Sequence, residues 1–393
     1  MKRPLIIILL GLALSLVCLG IGAVIFFTAN DGFRTNSPFD RRNISSVLEE
    51  SKTLKVSAEE PVTLNVTNDS GDVTVRGGDV ETVQVDAIKT AYDSSQSRAD
   101  AEVKTIKYAI EQTGNAITLR YEIPDSMNFN NKLNTVDFIV TVPEKTSVEV
   151  RANSGSIELS RIVGTVDLGS DFGNTTLENI EGAVAVDSQS GAIHASQLDA
   201  GRKDIVLATN FGEVTLERAS ARSLNVDSQS GSLKLNDIRL SANLVATTDF
   251  GEITLYKVSA ASYELDSNSG SITVDGGKSR IRAYTDFGSI NISNASSATL
   301  DLLTKSGSID FAGSLGEGPH SLHSDFGAIT LTLPADSAFD VDLSTNFGQI
   351  SSDIPVTVTG NIDEQHQVGT LNGGGGDLKV ETKSGNVYIH ASR

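Results

Sequence analysis

A short phrase built on glycine recurs thirteen times along this chain, and its spacing restricts the fold more than any other feature of the sequence. In each copy a serine or phenylalanine precedes the glycine and an alternating apolar strand follows it. The glycines between Gly155 and Gly348 recur at intervals of 18 to 21 residues. A short fixed period of this kind predicts stacked coils that share one continuous core. The thirteen glycines are Gly71, Gly155, Gly173, Gly191, Gly212, Gly231, Gly251, Gly270, Gly288, Gly307, Gly327, Gly348 and Gly385.

Apolar residues stand at fixed offsets from each glycine. Two and four places after it come pairs such as Ile253 and Leu255, and seven and five places before it come pairs such as Leu224 and Val226. Alternation with a period of two predicts a strand with one buried face. Each unit of about 19 residues is therefore predicted to hold two strands, and the whole chain is predicted to be an all-β, β-helix-like solenoid.

The residue before the glycine alternates between serine and phenylalanine from Ser154 to Phe326, and the alternation then breaks at Phe347. Two arrangements fit this pattern. Either one unit makes one coil and phenylalanine occupies every second layer, or two units make one coil and the rings stack along one corner. We favour one unit per coil, and an antiparallel meander of hairpins is a third arrangement.

The flanks of the repeat region are predicted to close its ends. Residues 54–75 resemble a first coil, residues 97–112 have a helical pattern that ends at Gly114, and residues 116–123 and 136–142 have strand patterns. We predict a small helix-containing insertion that covers the open strand edge, as solenoid caps do. Residues 378–389 are predicted to form the last coil.

The amino terminus is predicted to be a membrane anchor. Lys2 and Arg3 precede an uncharged apolar run from Pro4 to Ala29, which is long enough for a transmembrane helix. The basic pair favours a cytoplasmic N-terminus and an extracytoplasmic solenoid, that is, a single-pass protein of the cell membrane. The predicted organisation is an anchor over 1–29, a flexible stalk over 30–52, a first coil and capping region over 53–150, and the repetitive solenoid over 151–393.

Charge and cysteine content exclude several classes of function. The net charge of −19 argues against nucleic acid as a partner, because binding to phosphates needs lysine and arginine. The only cysteine, Cys18, lies within the predicted anchor, so an internal disulfide and a cysteine metal site are excluded.

The residues at this point resemble the bacterial putative-adhesin family, a membrane-anchored domain of unknown function likened to the heads of autotransporter adhesins. The resemblance lies in residues 64–75, 136–143 and 148–157 and in the serial Ser-Gly and Phe-Gly coils, and it covers about residues 55–393. It implies an outward-facing β-solenoid tethered to the membrane. It implies no catalytic residues, and the link of some members to envelope-stress regulators implies a sensing role as an alternative.

The sequence offers few groups with chemistry. The histidines are His194, His320, His323, His366 and His390, and no metalloprotease, phosphate-loop or nucleophile-elbow motif accompanies them. Stacking is expected to bring seven carboxylates to one edge of the solenoid: Asp171, Asp187, Asp227, Asp249, Asp266, Asp286 and Asp325. These could form a Ca²⁺ edge or be hydrated turn residues. We favour the second interpretation because the glycine-rich repeat of calcium-binding β-rolls is absent.

The sequence therefore predicts a non-enzymatic, adhesin-like module that presents a polar face to a glycan, a cell-wall polymer or an envelope protein. An accessory sensor of envelope stress is the first alternative, and a polysaccharide-acting β-helix enzyme is the second. No catalytic residue and no cofactor is predicted, apart from the calcium edge.

Overall fold

The computed structural model describes residues 44–123, 133–359 and 364–392. The chain divides into two units, Met1–Ile44 and Ser45–Arg393, and the elements below belong to the second unit apart from the first residue of the first strand. The predicted anchor over 1–29 lies outside the described residues. Within them, no helix is both long and apolar enough to cross a membrane.

The described residues contain 32 strands and one short helix. The first region holds β1 (Ile44–Lys55), β2 (Val62–Asn68), β3 (Val73–Gly78), β4 (Thr82–Asp93), α1 (Gln96–Glu102), β5 (Ala109–Thr113), β6 (Ala116–Tyr121) and β7 (Thr135–Pro143). The repeat region holds β8 (Thr146–Ser154), β9 (Ile157–Val163), β10 (Val166–Phe172), β11 (Thr175–Glu181), β12 (Val184–Ser190), β13 (Ile193–Asp199), β14 (Ile205–Phe211), β15 (Val214–Ala221), β16 (Leu224–Ser230), β17 (Leu233–Leu240), β18 (Asn243–Thr248), β19 (Ile253–Ser259), β20 (Ser262–Ser267), β21 (Ile272–Asp275), β22 (Lys278–Thr285), β23 (Ile290–Ser306), β24 (Ile309–Leu315), β25 (His320–Phe326) and β26 (Ile329–Pro334). The last region holds β27 (Phe339–Phe347), β28 (Ile350–Ser352), β29 (Val356–Val358), β30 (His366–Leu371), β31 (Gly376–Ser384) and β32 (Val387–Ser392).

One repeat unit makes one coil. Each strand that precedes a corner glycine pairs in parallel with the equivalent strand of the next unit, as Val166 does with Val184, and these strands form sheet A. The strands that follow the glycine pair in the same way, as Ile193 does with Val214, and form sheet B. The long strand β23 starts after one corner glycine and ends before the next. Its first part therefore belongs to sheet B and its last part to sheet A. This pairing confirms the one-unit arrangement and excludes both the two-unit coil and an antiparallel meander within the repeat region.

The core between the sheets is aliphatic, with a polar column along one side. The predicted inward pairs are buried in layer after layer, and Leu235, Leu255 and Ile292 are 0 to 2 % exposed. Three places before each glycine from Gly173 onward a serine or threonine is also buried, an inward position that the apolar pattern does not reveal. Nine of these hydroxyls donate a hydrogen bond of 2.8 to 3.2 Å to the carbonyl oxygen of a corner glycine in a neighbouring layer. The polar column therefore joins the layers at the corner.

A second corner lies six places after each glycine from Gly155 to Gly307. Seven residues there have φ between +53° and +57°, a left-handed conformation that costs about 1 kcal/mol or more outside glycine. The turn breaks the alternation, so that the next inward residue comes seven places after the glycine, as Ile162 and Ile238 do. The seven residues are Arg161, Asn179, Gln197, Arg218, Asp237, Lys257 and Asn294.

The order of the coils at both ends differs from their order in the chain. In sheet A, β2 lies between β6 and β8, and in sheet B, β3 lies between β7 and β9. At the other end, β31 lies between β25 and β27, and β32 lies between β26 and β28. The first and the last coil of the chain are therefore interior layers, each covered by a coil that lies nearer the middle of the sequence.

Two expectations for the first region are corrected by the structure. The helix predicted over 97–112 is only Gln96–Glu102, because residues 109–113 pair with β6 in a hairpin around Gly114 and Asn115. The stalk predicted over 30–52 overlaps β1, which begins at Ile44 and lies beside β4. The predicted strands over 116–123 and 136–142 are confirmed as β6 and β7.

Candidate functional site

Six exposed phenylalanines mark one corner of the solenoid. Each directly precedes a corner glycine, at the end of a sheet A strand or just beyond it. By the alternation of the strand this position would point inward, but the chain begins its turn here and the ring lies outside. The exposed fractions are 59 to 77 %, which is unusual for so many large apolar side chains in one row. We call Phe172, Phe211, Phe250, Phe287, Phe326 and Phe347 the aromatic edge.

The inserted last coil gives the aromatic edge a regular repeat. Along the chain Phe347 follows Phe326, but in space Ser384 of β31 lies between them. Serine and phenylalanine therefore alternate without a break from Ser154 to Phe347 when the layers are followed in space. With layers ~4.8 Å apart, successive rings lie roughly 9.6 Å apart. Among the described residues no ring contact joins two members of the edge.

A column of polar side chains runs beside the aromatic edge on the outer face of sheet A. Its members are the residues two places before each corner glycine from Gly155 onward, which we call the polar strip: Asn153, Asp171, Gln189, Asn210, Gln229, Asp249, Asn268, Asp286, Lys305, Asp325, Lys383 and Asn346. Several are joined across layers. Gln189 donates to Asp171 at 3.1 Å, and Asn268 donates to Asp249 at 2.8 Å.

Charge along the polar strip is compensated unevenly. Lys305 lies 2.6 Å from Asp286, and Lys383 lies 2.6 Å from Asp325. The hydrogen bond from each lysine holds the pKa of its aspartate below the ordinary range. Asp171 and Asp249 have amide partners instead, so the strip is acidic in its first half and nearly neutral in its last layers.

The structure divides the seven predicted calcium ligands between two columns. Four of them, Asp171, Asp249, Asp286 and Asp325, belong to the polar strip. The other three, Asp187, Asp227 and Asp266, stand two residues earlier in their strands and lie on the same face. Partial burial raises the pKa of Asp266, and the nearby charge of Asp286 raises it further. In the described part of the chain, no three histidine, cysteine, aspartate or glutamate side chains are grouped so that they could hold a metal ion. The calcium edge stays a prediction.

The histidines do not converge on one another. His320 is buried, where its Nδ1 accepts from the backbone N–H of Leu300 and its ring packs edge-on against Phe339. His323, His366 and His390 each contact a different aspartate at 2.9 Å. On the outer face of sheet A, grooves of about 350 and 320 Å³ lie beside Asp171 and Asp266, and one of about 500 Å³ is lined by β27, β30 and β31.

Comparison with known proteins identifies the family. One family model, described as Toastrack DUF4097, matches residues 63–280 and again residues 223–390. The chain belongs to the Toastrack DUF4097 family. The two matches overlap over 223–280, as expected when every layer repeats the one before it. The resemblance seen in the sequence is confirmed, and the Toastrack domain is one of unknown function.

Two solved structures match this chain at low identity. A putative cell adhesion protein from Clostridium sporogenes is 13 % identical, with 88 % of this Toastrack chain and 100 % of that chain covered and a TM-score of 0.20. A putative adhesin from Bacteroides fragilis is 12 % identical, with 88 % and 97 % covered and a TM-score of 0.30. At these scores neither likeness carries an argument about this Toastrack chain. None of the curated proteins matches the sequence.

Sequence reasoning found the components of the aromatic edge but not the edge itself. The Ser/Phe alternation showed that phenylalanine recurs, and the one-unit arrangement placed it on every second layer. Exposure of the rings was missed because, in a strand whose side chains alternate between its two faces, this position falls on the buried face. The polar strip was visible as the aspartate or asparagine two places before several glycines, which turn chemistry alone explains equally well.

Proposed function

We propose that this Toastrack protein is a non-enzymatic, adhesin-like binding module that is tethered to the cell membrane and presents its solenoid outside. The observation that carries the proposal is the aromatic edge, six exposed rings that recur on every second layer. Large exposed apolar rows on a folded domain mark interaction surfaces. A row that follows the stacking direction suits an extended partner better than a small molecule.

The backbone around the edge supports a binding role because it is rigid. A Cβ atom built on any corner glycine from Gly155 to Gly385 would lie 1.8 to 2.2 Å from the carbonyl oxygen of the glycine in the next layer. Neighbouring corners are therefore in direct backbone contact, and the hydroxyl column fixes them further. Binding groups held in a preformed row lose little conformational entropy when a partner docks.

A polymer array tests the proposal against the enzyme alternative. The full-length chain is applied to immobilised glycans and cell-wall polymers, and soluble fractions are assayed in parallel for new reducing ends. We expect binding without release of product. Reproducible hydrolysis, or no binding to any polymer or envelope fraction, would contradict the proposal.

Tethering is tested separately on whole cells. We propose that residues 1–29 anchor the chain with its N-terminus in the cytoplasm. Protease added to intact cells is then expected to digest the solenoid, whereas a cytoplasmic marker stays intact. Protection of the solenoid until the membrane is opened would refute the orientation.

A further inference from the structure

We propose that the aromatic edge and the polar strip together bind a linear, uncharged β-1,4-linked polysaccharide along the stacking axis. This inference rests on the proposed binding function and names its ligand class and its site. It depends on three features of the surface: the spacing of the rings, the chemistry of the strip beside them, and the sign of the charge around them.

The spacing fits a disaccharide repeat. Successive sugars of an extended β-1,4-linked chain are turned over relative to one another, so that every second sugar presents the same face. The disaccharide is close in length to two solenoid layers, which are ~9.6 Å. Rings on every second layer can therefore each meet an equivalent sugar. An edge with a ring on every layer would lack this match.

The space beside each ring is suited to a sugar. Because serine occupies the layers between rings, no other ring of the edge covers either face of a phenylalanine. The C–H groups of a pyranose pack on an aromatic face, since such rings are weakly negative above their plane. The six rings are 59 to 77 % exposed, so they offer this area without rearrangement.

The polar strip supplies the groups that recognise hydroxyls. It consists of amide, carboxylate and ammonium side chains, which both donate and accept hydrogen bonds. The pairs Gln189–Asp171 and Asn268–Asp249 already fix the orientation of four of them. A sugar that packs on Phe172 or Phe250 has its hydroxyl-bearing rim beside such a pair.

Charge argues against the other extended partners. The first half of the edge is bordered by Asp171 and Asp249 of the polar strip, and Glu252 follows Gly251 beyond the corner. Two copies of this chain packed edge to edge would bring these carboxylates together, and an anionic lipid surface or a nucleic acid would be repelled. An uncharged polysaccharide meets no such repulsion.

The experiment measures binding of the full-length chain to cellohexaose and chitohexaose by calorimetry, with the α-linked maltohexaose as the geometric control. The variant F211A/F250A/F287A removes three consecutive rings. The variant V47A/Y256A/V368A is the matched control, because it removes exposed apolar side chains away from the edge. A third variant, S230F/F250S, keeps six rings but destroys their two-layer spacing.

We expect binding to at least one β-linked hexasaccharide and none to maltohexaose. The triple phenylalanine variant should weaken it by roughly tenfold or more, as loss of central aromatic contacts does. The spacing variant should weaken it comparably, and the matched control should not. All variants change exposed side chains, and melting curves check that they remain folded.

Other outcomes would overturn the inference, and they show whether the proposed binding function fails with it. Binding that is unchanged in the triple or the spacing variant shows that the edge is not the site, although the module still binds. Equal affinity for maltohexaose excludes recognition of the β-1,4 repeat. A wild-type dimer that becomes a monomer in F211A/F250A/F287A assigns the edge to a second copy. Absence of binding to every polymer defeats both this inference and the proposed function.

Discussion

Three residue positions around each corner glycine determine how closely the layers approach. The glycine lacks a side chain where the next backbone passes, and the residue directly before it lies outside the core. At nine corners the serine or threonine three places earlier donates a hydrogen bond to a glycine carbonyl of a neighbouring layer. Among the thirteen corner glycines, a left-handed φ occurs only at Gly71, Gly155, Gly173 and Gly191. In the other layers the close contact between backbones, and not the backbone conformation, requires glycine.

Gly251→Ala should therefore destabilise the solenoid strongly. Its Cβ would lie 2.1 Å from the carbonyl oxygen of Gly231, so the two layers would have to separate. We expect a loss of about 2–3 kcal/mol in the free energy of unfolding, the upper part of the cost of overpacking. Chemical denaturation measures it. Gly78→Ala is the control, because the nearest atom to its Cβ would be 4.0 Å away, and a comparable loss there would refute the steric explanation.

The buried hydroxyls allow a paired test in which two identical substitutions have opposite effects. Thr304 donates to the carbonyl oxygen of Gly288 at 2.8 Å, whereas the buried hydroxyl of Thr175 has no hydrogen-bond partner. Thr304→Val should cost about 1 kcal/mol, and Thr175→Val should gain a similar amount, because an unsatisfied buried polar group is removed. Thermal melting of both variants checks the signs. Equal destabilisation of the two would contradict the role of the hydroxyl column.

At the scale of elements, β1 is held to the capping region by an ion pair. Lys89 of β4 is 4 % exposed, and its ammonium lies 2.6 Å from the carboxylate of Glu50 in β1. The hydrogen bond from Lys89 holds the pKa of Glu50 below its usual range. Burial and the nearby Glu50 raise the pKa of Tyr108 to about 12, so this phenol stays neutral. The pair closes the edge at which the described solenoid begins.

Glu50→Gln should loosen β1 at neutral pH. It leaves the buried Lys89 ammonium without its counter-charge, but the Glu50 side chain is 45 % exposed and screened by solvent, so we expect a loss of about 1 kcal/mol. Because the pKa of Glu50 is lowered by folding, the contribution is complete above the ordinary carboxyl range and disappears as the pH falls through the lowered pKa. The difference from wild type should therefore shrink in acid, which melting at pH 7 and pH 3 would show. Lys89→Met, which removes the buried charge, should cost less, and a difference independent of pH would argue against the ion pair.

Elements governed by local pattern could be predicted, and elements governed by distant pairing could not. Alternation around Leu224 and Ile253 was enough to predict the two strands of each unit, whereas one unit per coil was the favoured one of three arrangements until strand pairing decided it. A short turn between the two strands of each unit was predictable, but its left-handed residue was not, because arginine, glutamine and lysine stand there as often as asparagine and aspartate. The helix over 97–112 was overextended because pairing of β5 with β6 outweighs helix propensity.

For the whole molecule, the limit of prediction was the order of the layers. The sequence around Phe347 does not show that Ser384 separates it from Phe326, because this depends on which coil forms the outermost layer of the stack. The period of the aromatic edge, on which the proposed ligand depends, is thus a property of the assembled stack. The broken alternation at Phe347 was the only trace of it in the sequence.

The inserted last coil should make the end of the stack cooperative. Val380 of β31 is fully buried between Leu322 of β25 and Leu343 of β27, whereas Ile350 of β28 pairs only with β32. Val380→Asp places an unpaired carboxylate between two layers, and repeat proteins transmit such damage to their nearest neighbours. We expect hydrogen exchange to accelerate in β31 and also in β27, which loses its support although it is unchanged. Ile350→Asp should affect β28 alone. If β27 stays protected in Val380→Asp, the last coil is not an interior layer, and the regular spacing of the aromatic edge would fail with it.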